Sequence, residues 1–228
     1  LEKHYTEPEK LQADALSYLV DKGRDTEYGR AHTFENIKGY DDFAKNVPIN
    51  TYEELKGDID RMRHGESNVL WPGLVKWYAK SSKFIPVSNA GLHNIHYKGG
   101  ADVVAFYLRN NPESRLFDGK SLILGGSHSP NYNVEGSLVG DLSAILIENI
   151  NPLVNMLFRV PKKRTALLSD FELKRDRIAH ECLHQNVTNI SGVPSWMLSV
   201  LVRVLEISGK KHIEDVWPNL EVFFHGGI

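Results

Sequence analysis

At 228 residues the chain can form one large domain or two small ones, with a sizeable buried core. Its formal net charge is −2, with both signs mixed along the chain, which argues against a nucleic-acid or membrane partner. Cys182 is the single cysteine, so no intrachain disulfide can form, and this fits a reducing, cytoplasmic compartment. No apolar run approaches the roughly 20 residues that span a bilayer, and no signal peptide opens the chain. The chain begins on Leu1 and stops after His225-Gly226-Gly227-Ile228, and the expectation is a fragment.

In chain order, residues 7–22 read as an amphipathic helix with Leu11, Ala15, Leu16 and Leu19 on one side. Thr51 and Glu54 form a capping box that starts a largely charged surface helix. Residues 83–88 read as a short strand, and a long helix weakened by Gly99-Gly100 follows to about Asn110. A buried strand over 120–126 ends in a turn, and 127–140 reads as a loop. Residues 141–148 are predicted helical, with Gly140 and Asp141 as their cap. Ser169 and Glu172 suggest a second capping box, opening a helix to about Gln185. A short strand follows at 187–190. Pro194 then suits the first turn of a helix closed by Gly209, whose apolar residues nearly encircle it and predict extensive burial. The final strand is 220–224. Helices alternating with short buried strands make the fold class α/β.

The sharpest local motif is His180-Glu181-Cys182-Leu183-His184. Residues i and i+4 share a helix face, so the two imidazoles could hold zinc, as in a metallopeptidase, with Glu181 as general base. Such a site needs a third ligand, for which Glu206 is the candidate; the plainer reading is a polar surface face, favoured by the charged run at 174–177. Leu124-Gly125-Gly126-Ser127-His128-Ser129 is faintly like a nucleophile elbow but lacks its second glycine, and a glycine-rich loop without chemistry is the simpler reading.

Several stretches, taken together and in order, are more specific. They are Asp25-Thr26-Glu27-Tyr28-Gly29-Arg30, Val47-Pro48-Ile49, Asn68-Val69-Leu70-Trp71-Pro72-Gly73, Lys83-Phe84-Ile85-Pro86, Gly140-Asp141-Leu142-Ser143, Ser191-Gly192-Val193-Pro194-Ser195-Trp196 and Val216-Trp217-Pro218-Asn219-Leu220, closing with His225-Gly226-Gly227. This set resembles the auxin-responsive Gretchen Hagen family of acyl acid amido synthetases, in particular its bacterial branch, within the adenylate-forming superfamily. The resemblance implies β-sheets flanked by helices, with residues 1–228 forming the N-terminal part of the large adenylation domain and the C-terminal domain absent. It implies activation of a carboxylic acid by ATP, with Mg2+, as acyl-AMP, followed by transfer to an amine, typically of an amino acid. An acyl-CoA-type ligase would share the first step, and a non-catalytic binding domain is the other rival.

By the same resemblance, Ser81, Ser82, Lys83, Gly226 and Gly227 would contact ATP, and Ser195, Trp196 and His225 the acyl substrate. No catalytic residue is assigned. The family's phosphate loop reads Ser-Ser-Gly-Thr-Thr before its lysine, whereas here Ser81-Ser82 abut Lys83. The expectation is that a mobile segment is missing and the numbering closes over it. A continuous turn would instead mean a real deletion.

Overall fold

The computed structural model describes residues 2–226, which cluster into two units: residues 2–107 with Pro130–Val139, and Leu108–Ser129 with residues 140–226. In chain order the elements are α1 (Glu2–Thr6), α2 (Pro8–Gly23), α3 (Glu27–Ala31), α4 (Tyr40–Asn46), α5 (Tyr52–Arg63), β1 (Trp77–Lys80) and β2 (Phe84–Val87). Next comes one continuous helical stretch: α6 (Asn89–Gly91), a π-helical segment (Leu92–Tyr97) and α7 (Lys98–Asn110). Then come β3 (Lys120–Ile123), β4 (His128–Pro130), β5 (Leu138–Gly140), α8 (Leu142–Asn149), α9 (Pro152–Phe158), β6 (Arg159–Val160), α10 (Lys163–Ala166), α11 (Phe171–Cys182), β7 (Val187–Ser191), α12 (Pro194–Ser208) and β8 (Val222–Phe224).

In the first unit, α5 starts as its sequence predicts: the Glu54 carboxylate accepts from the Thr51 N–H at 2.6 Å and the Thr51 hydroxyl at 2.8 Å. Ile59 and Met62 bury one side of this helix. Met62, Val69, Val75 and Tyr78 form a small core, with Phe84 and Val139 packed against it. The sheet order is β2-β1-β5-β4. The predicted 127–140 loop is therefore partly a hairpin. Its strands are three residues each, and β5 pairs with a distant segment, the Leu138 N–H donating to the Lys76 carbonyl at 2.9 Å. Pairing of that kind leaves no local sequence signal.

In the second unit the sheet order is β6-β3-β7-β8, and every neighbouring pair is parallel. A parallel sheet needs helical crossovers, and both long helices here serve that purpose. Leu122, Ile190 and Val187 of the sheet share one core with Ile178 and Cys182 of α11 and Met197, Val200 and Val204 of α12. Each such side chain contributes roughly 1.5–3 kcal/mol by leaving water. Trp217 closes this core, its indole N–H donating to the Cys182 carbonyl at 3.1 Å.

Three boundaries differ from the sequence reading. The cap of α11 is Asp170, whose carboxylate accepts from the Leu173 N–H at 2.9 Å, rather than Ser169; both residue types cap well, so composition does not separate them. That helix ends at Cys182, short of Gln185. Helix α12 has Pro194 in its first turn and a left-handed Gly209 (φ 66°) after its last, as expected, yet only one side of it is buried. Trp196, Leu198 and Val202 are exposed, because no described element covers that side.

Candidate functional site

The four residues of β1 pair antiparallel with those of β2, Lys80 opposite Phe84, and Ser81–Lys83 make the connection. The Ser81 N–H donates to the Lys83 carbonyl at 3.1 Å, which closes the turn. The expected break is absent: Ser81–Lys83 form a continuous, exposed turn that closes the hairpin directly. What surrounds it is aromatic and basic. The Lys83 ammonium lies 4.9 Å above the Tyr52 ring, and the Tyr52 hydroxyl accepts from the Phe84 N–H at 3.0 Å. The Arg63 guanidinium stacks 3.6 Å above the Phe84 ring.

The zinc reading fails on geometry. His180 is exposed and pairs with Asp176 at 3.7 Å, while His184 falls beyond the end of α11. Glu181 is committed elsewhere, accepting from the Thr165 hydroxyl at 2.6 Å and the Lys162 N–H at 2.8 Å. Glu206 pairs with Arg203 at 3.0 Å. Among the described residues, no three metal-ligating side chains gather.

The second unit brings three separate segments to one edge of its sheet. After β3 comes Leu124-Gly125-Gly126-Ser127, after β7 comes Gly192 and the start of α12, and after β8 come His225 and Gly226. All lie at the carboxyl ends of parallel strands. The chain leaves β3 toward β6 and leaves β7 toward β8, in opposite directions across the sheet order. Adjacent strands whose connections part in this way open a crevice between their loops, the usual ligand position in open α/β sheets. The loops are stitched together: the Leu124 N–H donates to the Ser191 carbonyl at 2.8 Å, and the Gly192 N–H to the Phe224 carbonyl at 3.3 Å. Gly192 has φ 154°, and a Cβ there would stand 3.0 Å from the Leu124 carbonyl oxygen, so only glycine fits comfortably.

The glycine pair is rigidly held. Lys174 is only 4% exposed and donates to the Gly125 carbonyl at 2.6 Å and the Gly126 carbonyl at 2.8 Å. The Gly126 N–H donates to the Ser143 hydroxyl at 2.9 Å, and the Ser127 N–H to Asp141 Oδ2 at 2.9 Å. Asp141 stands at the cap position of α8, as predicted, but its side chain serves this turn instead. Burial pushes the Lys174 ammonium down to about 8, partly opposed by the nearby Asp141 carboxylate. The elbow-like reading fails here, since the Ser127 turn feeds a strand, β4, rather than a helix.

Of the sequence-predicted acyl residues, Ser195 is exposed in the first turn of α12, and Trp196 is 41% exposed with its ring 5.9 Å from that of Phe171. His225 stacks on Phe223 at 5.0 Å. Ser195, Trp196, His225 and Gly226 thus fall on the edge just described, Ser81–Lys83 belong to the other unit, and Gly227 lies outside the described residues. Sequence reasoning missed Lys174 and the role of Gly125-Gly126. A buried lysine inside a charged helix run carries no mark of its burial.

The sequence matches the model of the GH3 family N-terminal domain over residues 1–228. No curated protein matches it. Among solved structures, the chain is similar to "GH3.15 acyl acid amido synthetase", with a TM-score of 0.71 and 17% identity, covering 99% of this chain and 49% of that one. It is also similar to "AtGH3.15 acyl acid amido synthetase in complex with 2,4-DB", with a TM-score of 0.65 and 22% identity, covering 87% of this chain and 36% of that one. At these identities the likeness speaks to the fold, and the chain spans about half the length of the first relative or less of the second. The matched family model and the shared α/β architecture place the chain in the GH3 family, as its N-terminal domain.

Proposed function

We propose that the chain is the acid- and nucleotide-receiving part of an ATP-dependent ligase that activates a carboxylic acid as acyl-AMP and passes the acyl group to an amine, that of an amino acid. The observation that carries this reading is the convergence of glycine-bearing turns at the carboxyl ends of β3 and β7, the first held by Lys174, in a member of the GH3 family. The bacterial and cytoplasmic assignments rest on the sequence stretches and the lone cysteine. Among the described residues, no helix is long and apolar enough to cross a membrane.

The chemistry asks for positioning and charge neutralisation. In the first step a carboxylate oxygen attacks the α-phosphorus of ATP and the bond to pyrophosphate breaks. In the second the amine nitrogen attacks the acyl carbon, the bond to AMP breaks and the nitrogen gives up a proton. The start of α12 suits an anion: the Ser195 and Trp196 N–H groups precede the first bond of that helix, from the Met197 N–H to the Val193 carbonyl, and the helix dipole adds to them. The Ser195 hydroxyl is a further donor, and the exposed part of Trp196 offers a flat apolar surface to an acyl body. His225 and Gly226 border the same edge. Lys174 is a positioning residue, because its donors hold the glycine pair. The described residues form no cage for a resident magnesium. The ion fits as part of the nucleotide, carried on phosphate oxygens. The Ser81–Lys83 turn supplies two hydroxyls and one ammonium, and its Ser81 N–H is spent on the Lys83 carbonyl.

That turn favours a second reading, a domain that keeps the acid-binding fold without adenylation. One experiment separates the two. The full-length protein that contains this chain is incubated with ATP, labelled pyrophosphate and a panel of aromatic and aliphatic acids, with acid and ATP binding followed by calorimetry. Acid-dependent exchange of label into ATP supports the ligase. Acid binding with neither exchange nor ATP binding supports the second reading, and no binding of any acid overturns both.

A further inference from the structure

The second unit holds a cavity of about 470 Å³ at the amino ends of β3 and β6, away from the carboxyl-end crevice. Arg159, Lys120, Lys162, Asn155 and Glu181 line it. Arg159 is 4% exposed, and its Nε donates to Asn155 Oδ1 at 2.7 Å. Its two terminal nitrogens, Nη1 and Nη2, are shut from solvent and meet no acceptor among the described residues. A guanidinium stays charged at neutral pH, and a buried charge without hydrogen-bond acceptors costs several kcal/mol. Cys182, its buried neighbour, supplies no compensating charge, because burial pushes the thiol up to about 12. The nearest carboxylate, Glu181, offsets the charge only through space. Glu181 already accepts from Thr165 and from the Lys162 N–H, and makes no bond to Arg159. Lys120 spends its ammonium on the Met156 and Leu157 carbonyls, at 3.0 and 2.6 Å, and its charge remains in the wall. Three cationic side chains therefore face one anionic one around an orphaned fork.

We propose that this cavity binds an organic or inorganic oxyanion, a carboxylate or a phosphate, whose paired oxygens take the two terminal nitrogens of Arg159, with Lys162 at the rim. A planar guanidinium presents those nitrogens as parallel donors, the geometry that a two-oxygen anion completes. Because both terminal nitrogens are shut from solvent, this binding requires the fork edge to turn into the cavity. The Asn155 bond is the only hydrogen bond of Arg159 among the described residues that this movement strains. The inference does not depend on the ligase reading, since none of these residues borders the crevice.

The test uses the full chain and two probes, inorganic phosphate and benzoate, each titrated at constant ionic strength against a sodium chloride control. Thermal unfolding and calorimetry are read for the wild type, Arg159→Met and Lys162→Glu. The expected result is saturable stabilisation of the wild type by at least one probe, absent with chloride. Arg159→Met removes both donors and should weaken that binding by at least about tenfold, the weight of a single charge-assisted hydrogen bond. If Arg159→Met does not fold, the exposed Lys162→Glu decides, and it should weaken binding severalfold. A response to phosphate alone points to a phosphorylated ligand, and a response to benzoate alone to an organic acid. Equal stabilisation by chloride, or variants that bind as the wild type does, would overturn the proposal.

Discussion

Replacing Lys174 with methionine probes the support of the glycine pair. Methionine keeps the aliphatic bulk but removes the donors to Gly125 and Gly126, now 2.6 and 2.8 Å away. Two unmatched carbonyls cost roughly 1–3 kcal/mol each, offset in part because a buried charge is gone, so a net loss of about 2 kcal/mol is expected near pH 7. The pH dependence is more diagnostic. The lysine pKa falls from 10.5 to about 8 in the fold, so between those values the unfolded chain binds more protons, and stability rises with pH. Cys182 acts oppositely: its thiol rises from 9.0 to about 12, so above pH 9 the unfolded chain binds fewer protons and stability falls. The wild type should therefore climb between pH 8 and 9 and then level off, while Lys174→Met stays level and then declines. The two curves should diverge by up to about 1.4 kcal/mol per pH unit. Urea unfolding from pH 7 to 10, followed by Trp217 fluorescence in a background where Trp71, Trp77 and Trp196 are replaced by phenylalanine, measures both. Parallel curves would refute the assignment of a depressed lysine beneath the glycines.

Two further predictions concern the same unit. A Cβ at Gly126 would stand 1.9 Å from Asp141 Oδ2, so Gly126→Ala should displace that carboxylate from the Ser127 N–H and cost about 1–2 kcal/mol in thermal unfolding. Adding Asp141→Ala should then cost little more, because the two residues share one interaction. For the cap of α11, Asp170→Ala should lose about 1 kcal/mol of stability and Ser169→Ala less than about 0.5 kcal/mol, read by urea titration.

How much was legible in advance follows from how local each determinant is. Pro194 and Gly209 bracket α12 because a missing N–H and a left-handed φ act within one turn. The Thr51–Glu54 pair likewise announces α5. The exposed side of α12 was not legible, since burial depends on which elements pack there, and an apolar residue reads the same whether covered or bare. Lys174 hid among Arg175, Asp176 and Arg177, where charge signals solvent, yet α11 turns that one ammonium inward to two carbonyls. Family likeness singled out Ser195, Trp196 and His225 as expected acyl contacts. It could not show that they share a sheet edge with Gly125-Gly126, because parallel strands from distant parts of the chain assemble that edge. The Ser81–Lys83 turn shows the converse: motif likeness suggested a loop, and four cross-strand pairs closed it.

That short turn has a thermodynamic corollary. Its strands are clamped by pairing from Trp77–Val87 to Lys80–Phe84, so their register does not rely on the residues between them. Chain entropy charges only about 0.6 kcal/mol for each doubling of a flexible connection. A longer, glycine-rich crossing could be spliced between Ser82 and Lys83 with modest strain on the scaffold. The length of this connection and the integrity of the hairpin are separable, and a lineage, or an engineer, can change one without forfeiting the other.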